Sequence, residues 1–374
     1  MMTDLFEAET ATTTTLDMRR LQRNKRRATR RKWTVVVSSF ALVVFALGGS
    51  FAWNFVKTFE GGGTAVADYE GTGQGDLQVV VKAGDTGADI ATTLLDSGVI
   101  ASRQAFLTEW NANPDSQGIV PGFYLLHREM KAEYALQSLL DPNTRDLRRL
   151  TVPEGASLAT FKQKITAITG ASDTEVTAAM EDTKSLGLPA EAKGSLEGWL
   201  FPSTYEFNPG VTPKEVLKRM IETTVQKLDD LDVPEKDREK VLKVASLVEK
   251  EAKLDVDRAK IASVIYNRLE DGMPLQFDST IKYIKPSEGV FTSPEDRKID
   301  SPYNTYLYPG LPPTPIASPG DASLEAAVNP AKTGFLYFTT VNLDTGKTKY
   351  AKTYLGHQKN VKELQRWAQA HKSN

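Results

Sequence analysis

One segment of the chain restricts its architecture more than any other. Between Trp33 and Val56 there are 24 consecutive residues without a charge, rich in Val, Leu, Phe and Ala. A helix of that length covers roughly 36 Å, and the hydrocarbon core of a bilayer is about 30 Å thick. Trp33 and Trp53 lie near its two ends, where amphipathic rings favour the membrane interface. Residues 33–56 are therefore predicted to form a transmembrane helix.

The residues before this segment predict its orientation. Nine basic side chains lie between Arg19 and Lys32. By the positive-inside rule, a basic flank stays in the cytoplasm, so residues 1–32 form a cytoplasmic tail and the chain after residue 57 lies outside. A cleaved signal peptide fits less well, because its apolar region is usually about 7–15 residues long.

Charge outside the tail argues against a nucleic-acid partner. Beyond residue 33 the chain has 37 Lys or Arg and 44 Asp or Glu. Nucleic-acid binding is dominated by neutralisation of phosphates, for which an acidic body is poorly suited. We therefore expect no nucleic-acid partner.

The absence of cysteine limits the chemistry. The 374 residues include no Cys and three His, at positions 127, 357 and 371. This excludes disulfides, a thiolate nucleophile, iron–sulfur clusters and cysteine-ligated zinc, and the His spacing excludes an HExxH metal motif. Catalysis by this chain must use carboxylates, hydroxyls, amides or Lys and Arg.

Past the apolar segment the chain divides into a linker and two folded parts. Residues 57–77 include six glycines and predict a flexible linker, with a root-mean-square span of roughly 25 Å. Residues 78–146 predict a strand, a turn, two helices and a returning strand over Gly122–Leu126. This order is also that of a LysM carbohydrate-binding module, although a spacer without a ligand would give the same pattern. Residues 147–374 form the second part.

Two helical patterns joined near residues 254–257 hold the most informative carboxylates. Val241, Val244, Ala245, Val248 and Ala252 form one apolar face of the first helix. Glu249 and Glu251 lie on the two opposite flanks of that face. Because residues at i and i+2 do not face each other, they cannot be the paired carboxylates of an ordinary glycosidase. If one is catalytic it works without the other; both could also be ordinary helix-boundary residues.

Three further clusters hold polar and aromatic groups. Asn267 and Arg268 stand near the end of the second helix. An extended segment from Leu275 to Thr280 would place Gln276, Asp278 and Thr280 on one face. A proline-rich loop over 301–320 carries Tyr303, Asn304, Thr305, Tyr306 and Tyr308. Aromatic rings, amides and carboxylates together suit the binding of a sugar polymer. In the structural alternative, Arg268 is a helix-end cation and the tyrosines are core residues.

These segments resemble a known family. The runs that carry the resemblance are Val244-Ala245-Ser246-Leu247-Val248-Glu249-Lys250-Glu251, Val264-Ile265-Tyr266-Asn267-Arg268-Leu269, Leu275-Gln276-Phe277-Asp278, Tyr303-Asn304-Thr305-Tyr306 and Gly310-Leu311-Pro312-Pro313. They are similar to those of the YceG-like family, the MltG endolytic murein transglycosylases, and they occur in the family's order. Leu196 to Tyr205 also resembles that family, and the resemblance covers roughly Val79 to Val361.

The resemblance implies an architecture and a set of site residues. The fold class is expected to be α+β, with a single-pass anchor in the bacterial inner membrane, a LysM-like module and a catalytic domain related to lytic transglycosylases over 147–374. The family's catalytic glutamate falls on Glu251. The substrate-binding residues implied are Gln276, Asp278, Asn304, Tyr303, Tyr306 and Arg268. The chain departs from the family in its long basic tail, and in Phe277 and Ser279, where relatives have Thr before the Asp and Pro after it.

The implied reaction needs one carboxyl group. A glutamic acid protonates the glycosidic oxygen, and its carboxylate then takes the proton of the muramic acid's own C6 hydroxyl, which attacks C1. The product ends in 1,6-anhydro-N-acetylmuramic acid, no cofactor is expected, and cleavage would terminate glycan elongation. Expected partners are peptidoglycan glycan strands and membrane-bound peptidoglycan synthases, the penicillin-binding proteins. A hydrolytic muramidase and a non-catalytic wall-binding scaffold are the alternatives.

Overall fold

The computed structural model of the chain describes residues 67–286 and 292–371. The predicted cytoplasmic tail, the predicted transmembrane helix over 33–56 and most of the predicted linker lie outside these residues. Among the residues that are described, no helix is both long enough and apolar enough to cross a membrane.

The described part is a mixed α+β fold, as expected from the sequence. Each of its three sheets has two antiparallel strands, and helices supply most of the packing surfaces. The elements in chain order are β1 Gln74–Val81, α1 Gly87–Asp96, α2 Arg103–Ala112, β2 Gly122–Arg128, α3 Ala132–Leu140, β3 Arg148–Thr151, α4 Leu158–Thr169, α5 Asp173–Glu181, β4 Thr204–Phe207, α6 Pro213–Asp230, α7 Glu235–Glu251, α8 Asp255–Glu270, α9 Asp278–Ile284, α10 Asp321–Val328, β5 Tyr337–Asn342, β6 Lys347–Ala351 and α11 Tyr354–His371.

The first part of the described chain has its own apolar core. Strands β1 and β2 pair with Val79 opposite Tyr124, and helices α1 to α3 pack beside them. Helix α1 begins with a capping box in which Thr86 and Asp89 bond each other's backbone N–H groups, so the chain turns into the helix directly after β1. The predicted strand–helix–helix–strand order is observed. Helix α3 was not expected, although Ala132, Ala135, Leu136 and Leu139 follow helical spacing and are buried.

A second core lies under the β3–β4 pair, where Leu150 stands opposite Tyr205. Helices α4, α5 and α6 cover it with Phe161, Val176 and Met220. Helix α6 begins at Pro213 with a capping box formed by Thr212 and Glu215. The predicted boundary between a module ending at residue 146 and a catalytic domain stays a prediction.

The third core surrounds α7 and determines where the site lies. Val241, Val244, Ala245 and Val248 are buried on the predicted face of this helix. Helices α8 and α10 pack against it, together with Trp199, whose indole N–H donates to Glu239 at 2.9 Å. Because α7 is packed into this core from Val241 to Val248, Glu251 at its carboxyl-terminal end is held on a rigid support.

The β5–β6 hairpin and α11 complete the fold. Phe338 stands opposite Tyr350 in the hairpin, and the Tyr350 hydroxyl donates to Asp257 Oδ1 of α8 at 2.9 Å. Asn267 of α8 donates to the Phe335 carbonyl oxygen at 2.9 Å. Helix α11 lies against β5 and contains no buried residue. The hairpin is therefore fixed to α8, and α11 is fixed mainly to the hairpin.

Candidate active site

Glu251, the last residue of α7, opens onto a cavity of about 560 Å³. Arg268 of α8, Gln276, Asp278 at the start of α9, and Tyr306 from the loop over 301–320 line the same cavity. Five of the seven residues that the sequence predicted to be catalytic or substrate-binding therefore line this one cavity. This volume is within the range of about 300–1,000 Å³ typical of small-molecule sites.

The surroundings of the Glu251 carboxyl favour its protonated form. Burial raises its pKa above 4.5, and the negative charge of Asp278 adds to the increase. The dipoles of the Ser279 hydroxyl and N–H and the charge of Lys282 oppose the shift without reversing it. Glu251 is therefore suited to act as a general acid.

Asp278 has the opposite character. Burial acts to raise its pKa, but hydrogen bonds from Thr292 and Tyr306, both at 2.6 Å to Oδ1, and the charge of Arg297 hold the pKa below 3.8. Arg297 also lies with its guanidinium over the Tyr306 ring, 4.9 Å from the centroid. Two neighbouring carboxyl groups with pKa values shifted apart are typical of acid–base sites.

Gln276 stands at a strained turn rather than in a strand. Its φ of +54° lies in the left-handed region, and its backbone N–H donates to the Thr305 carbonyl oxygen at 3.0 Å. Left-handed non-glycine residues cost roughly 1–3 kcal/mol and concentrate at functional sites. The predicted extended segment over 275–280 is wrong, because α9 begins at Asp278 and Thr280 is buried inside the first helical turn.

Arg268 is more than a helix-end cation. The side chain is buried, and its Nε donates to the Leu336 carbonyl oxygen at 2.6 Å while Nη1 donates to the Leu275 carbonyl oxygen at 2.5 Å. Its guanidinium lies over the Tyr337 ring, 5.2 Å from the centroid. Arg268 therefore joins three segments of the cavity wall.

Two of the predicted site residues, Asn304 and Tyr303, do not line the cavity. Asn304 is fully buried, donates to the carbonyl oxygens of Arg297 and Ile299 at 2.9 and 2.8 Å, and accepts the Tyr306 N–H at 3.0 Å. The Tyr303 hydroxyl bonds Thr314 at 2.8 Å. These contacts shape the loop that presents Tyr306 to the cavity.

The sequence did not identify one whole wall of the cavity. That wall comes from β5 and α11, and its residues include Tyr337, Phe338, Thr339, Thr340, Tyr354 and His357. The aromatic run Phe335 to Phe338 and the isolated His357 were the available signals. Their position beside Glu251 depends on the docking of the hairpin to α8, which residue spacing does not reveal.

Glu249 lies outside this cavity, as its opposite flank predicts. Its Oε2 accepts from Arg258 at 3.0 Å, from the Ser323 hydroxyl at 2.7 Å and from the Gly320 N–H at 3.2 Å. Within residues 67–286 and 292–371, no cluster of three or more His, Asp or Glu is placed to hold a metal ion. The raised pKa of Glu251, beside an Asp278 whose pKa is lowered, makes proton transfer by Glu251 the chemistry that this cavity supports.

Comparisons with known proteins agree on one family. The profile of the YceG-like family matches residues 79–363. The endolytic murein transglycosylase of Bacillus subtilis (strain 168) is 34% identical over 302 residues, which cover 76% of this chain and 83% of that protein. The endolytic murein transglycosylase of Streptococcus pneumoniae serotype 2 (strain D39) is 29% identical over 356 residues, covering 86% of this chain and 63% of the relative.

A solved structure is similar as well. The 2.6 Å crystal structure of a putative yceG-like protein from Listeria monocytogenes superposes with a TM-score of 0.51 and 32% sequence identity. The superposition covers 76% of this chain and 99% of the Listeria chain.

Proposed function

The chain belongs to the YceG-like family, and we propose that it cleaves peptidoglycan glycan strands with Glu251 as its single acid and base. Relatives of this chain are endolytic murein transglycosylases, and the chain is a lytic transglycosylase that acts on peptidoglycan. The observation that carries the mechanism is the position of Glu251. Its carboxyl has a raised pKa and stands on the wall of a cavity lined by α7, α8, residues 276–278, Arg297, Tyr306, β5 and α11.

The reaction balances with one carboxyl group. The Glu251 proton goes to the glycosidic oxygen as the bond to C1 of N-acetylmuramic acid breaks, and the N-acetylglucosamine unit leaves with its hydroxyl restored. The Glu251 carboxylate then takes the proton from the C6 hydroxyl, and O6 bonds to C1 to close the 1,6-anhydro ring. Glu251 is protonated again and no water is consumed. An attacking hydroxyl already held in the sugar avoids the entropy cost of recruiting water.

The other cavity residues support this step. Positive charge develops at C1 in the transition state of glycosidic cleavage, and the ionised Asp278 places a negative charge in the same cavity. Gln276 is exposed on its strained turn and offers an amide to sugar hydroxyl or acetamido groups. These residues are proposed to bind substrate, and Glu251 alone to transfer protons.

Mass spectrometry of digested strands in water enriched in ¹⁸O tests the proposal. We expect ends that weigh about one water less than reducing ends and carry no ¹⁸O. Reducing ends labelled with ¹⁸O would instead identify a hydrolytic muramidase. Strands that are bound but never cleaved would identify a wall-binding scaffold.

We further propose that the chain is anchored in the inner membrane with its amino terminus in the cytoplasm. The uncharged segment 33–56 and its basic flank support this orientation. An anchor would keep the site within reach of the penicillin-binding proteins that make nascent strands, where cleavage would end elongation. A reporter fused after Asn374 should be active only outside the cytoplasm, and cytoplasmic activity would overturn the topology.

We also propose that residues 78–146 form a LysM-like module that binds the strand. A second cavity, of about 450 Å³, lies between the turn after β1 and the segment after α2. Trp110 lines it, and a Cβ added to Gly87 would stand 2.6 Å from the Trp110 ring, so the indole packs directly on bare backbone. An aromatic face beside polar groups such as Gln117 suits a sugar ring.

Glycan binding by the full-length chain distinguishes this module from a spacer. Trp110→Ala and Gln117→Ala should weaken binding, whereas Leu125→Ala, at an exposed position of β2 outside the cavity, should not. Equal binding by the Trp110 and Gln117 variants and the parent would show that residues 78–146 are a spacer.

A further inference from the structure

The wall of the Glu251 cavity formed by β5 and α11 contains a cluster of rings that the proton-transfer mechanism does not use. Tyr337 stacks on His357 with ring centroids 5.1 Å apart and an interplanar angle of 23°. The Tyr354 ring lies 6.0 Å from Tyr337 and 6.2 Å from His357. All three line the same cavity as Glu251.

Helix α11 presents one continuous face to this cavity. Tyr354, His357, Val361 and Leu364 line it, at the three- and four-residue spacing of a single helix face. No residue of α11 is buried, and Tyr354 at its first position is 60% exposed. The helix adds little to the core, and its apolar face is open to whatever occupies the cavity.

Thr339 and His357 form a polar edge of the ring cluster. The Thr339 hydroxyl and His357 Nδ1 lie 3.1 Å apart, and Nε2 has no hydrogen-bond partner in the described part of the chain. Burial and the positive charge of Arg268 lower the pKa of His357, so the imidazole is neutral at pH 7. The cluster therefore offers aromatic faces with one free hydrogen-bonding nitrogen at the edge.

A chain of contacts connects this cluster to the reacting group. The Arg268 guanidinium lies over the Tyr337 ring and interacts electrostatically with Glu251. Arg268 thus interacts with both Glu251 and Tyr337, and Tyr354 lies beside Tyr337 in the same cavity. Apolar ring faces with a few polar groups at their edges are what a pyranose ring needs, since its C–H faces are apolar and its hydroxyls lie around the edge.

We propose that Tyr337, Tyr354 and His357 form a sugar-binding subsite for a pyranose unit of the glycan strand, beyond the unit that Glu251 protonates. The proposal rests on the proposed function and extends it to chain length. A strand long enough to reach the subsite binds more tightly than one that ends at Glu251. The subsite acts on binding, so it changes KM rather than kcat.

Binding of purified glycan oligomers of increasing length to the full-length chain, with Glu251→Gln to prevent turnover, tests this subsite. Tyr354→Ala should lower affinity for long oligomers about tenfold, as expected when a central aromatic contact is removed, and leave the shortest oligomer unaffected. Tyr354→Phe should bind like the parent. Leu355→Ala is the matched control, because Leu355 is 65% exposed and does not line the cavity.

The outcomes separate the subsite from the reaction. With Glu251 intact, Tyr354→Ala should raise KM for long strands at an unchanged kcat. If the parent chain releases anhydro ends, and Tyr354→Ala has the same KM and the same dependence on strand length as the parent, the subsite proposal is wrong and the proposed function stands. Tyr354-dependent binding without anhydro ends would overturn the function and leave the subsite. A parent that binds no oligomer would overturn both.

Discussion

Glu249 and Glu251 are two residues apart on the last turns of α7, and the two flanks of this helix are different environments. On one flank Glu249 is enclosed by α8, α10 and the Gly320 backbone, with Arg258 3.0 Å away. On the other, Glu251 borders a cavity, and no cation is within ion-pair distance in the described residues. What packs on each flank therefore decides the role of each carboxyl group.

The Glu249 region is built for charge neutralisation. Arg258 is ion-paired with Glu249 and Asp255, and the Glu154 side chain lies so close to Gly320 that a Cβ added there would displace it. The Glu154 carboxyl has a raised pKa because it is partly buried beside the charge of Glu249. In the Glu251 region the raised pKa belongs to a group that a ligand can reach. The same residue type is thus ion-paired in the core on one flank and accessible to a ligand on the other.

The largest effect is expected from Glu251→Gln. Glutamine keeps the shape but cannot give and retake a proton, so the rate of strand cleavage should fall by about 100–10,000-fold. Folding should be retained, because a neutral isostere removes a desolvation cost. Initial rates on purified strands and a thermal unfolding curve together check this.

Glu249→Gln is the matched control for that substitution. It makes the same chemical change two residues away, on the flank that lies outside the cavity, so the rate per folded molecule should stay within a few-fold of the parent. An inactive Glu249→Gln variant, or near-normal cleavage by Glu251→Gln, would contradict the roles assigned to the two carboxyl groups.

A somewhat smaller effect on stability is expected from Arg258→Ala. The substitution leaves Glu249 without its buried partner, which typically costs about 3–5 kcal/mol of unfolding free energy. The double variant Arg258→Met with Glu249→Gln should recover much of that loss because no buried charge remains. Denaturant unfolding measures both. A single variant as stable as the parent would show that Glu249 is not held by this ion pair.

A third buried glutamate, Glu197, should give a pH-dependent effect of up to roughly 3 kcal/mol. Burial raises its pKa to about 7, although the Tyr283 hydroxyl, 3.2 Å from Oε2, and the charge of Lys250 oppose this. The folded state then holds a proton that the unfolded state loses above pH 4.5, so stability falls as pH rises from about 4.5 to 7. Glu197→Gln should be more stable than the parent above pH 7 and similar to it near pH 4.5. Parallel stability curves at all pH values would contradict this.

The helix that carries the two glutamates could be predicted from the sequence for a physical reason. The apolar face of α7 repeats over more than two turns, and its periodicity alone puts Glu249 and Glu251 on different flanks. The family motifs added the prediction that Glu251 is the catalytic residue. Both inferences use information that is local in the chain.

Features that depend on long-range packing could not be predicted in this way. Asn304 in a turn looks the same in sequence whether its amide faces a ligand or, as here, bonds the backbone of its own loop. The strained φ of Gln276 goes with a hydrogen bond from its N–H to the Thr305 carbonyl oxygen, almost 30 residues later in the chain. The position of Tyr337 depends on a hairpin that docks on α8 some 70 residues after Arg268. Only the folded chain brings Gln276 and Tyr337 into the cavity of Glu251.

The most direct test of the claim that the cavity makes Glu251 the acid is the pH dependence of kcat/KM in the parent and in Asp278→Asn. A general acid must carry its proton, so activity should persist above pH 4.5 and decline as the pH passes the raised pKa. Because the negative charge of Asp278 raises that pKa, Asp278→Asn should move the decline to lower pH, whatever its effect on the maximal rate. A decline at or below pH 4.5 in the parent, or one that Asp278→Asn leaves unchanged or moves to higher pH, would contradict the assignment of Glu251 as the acid.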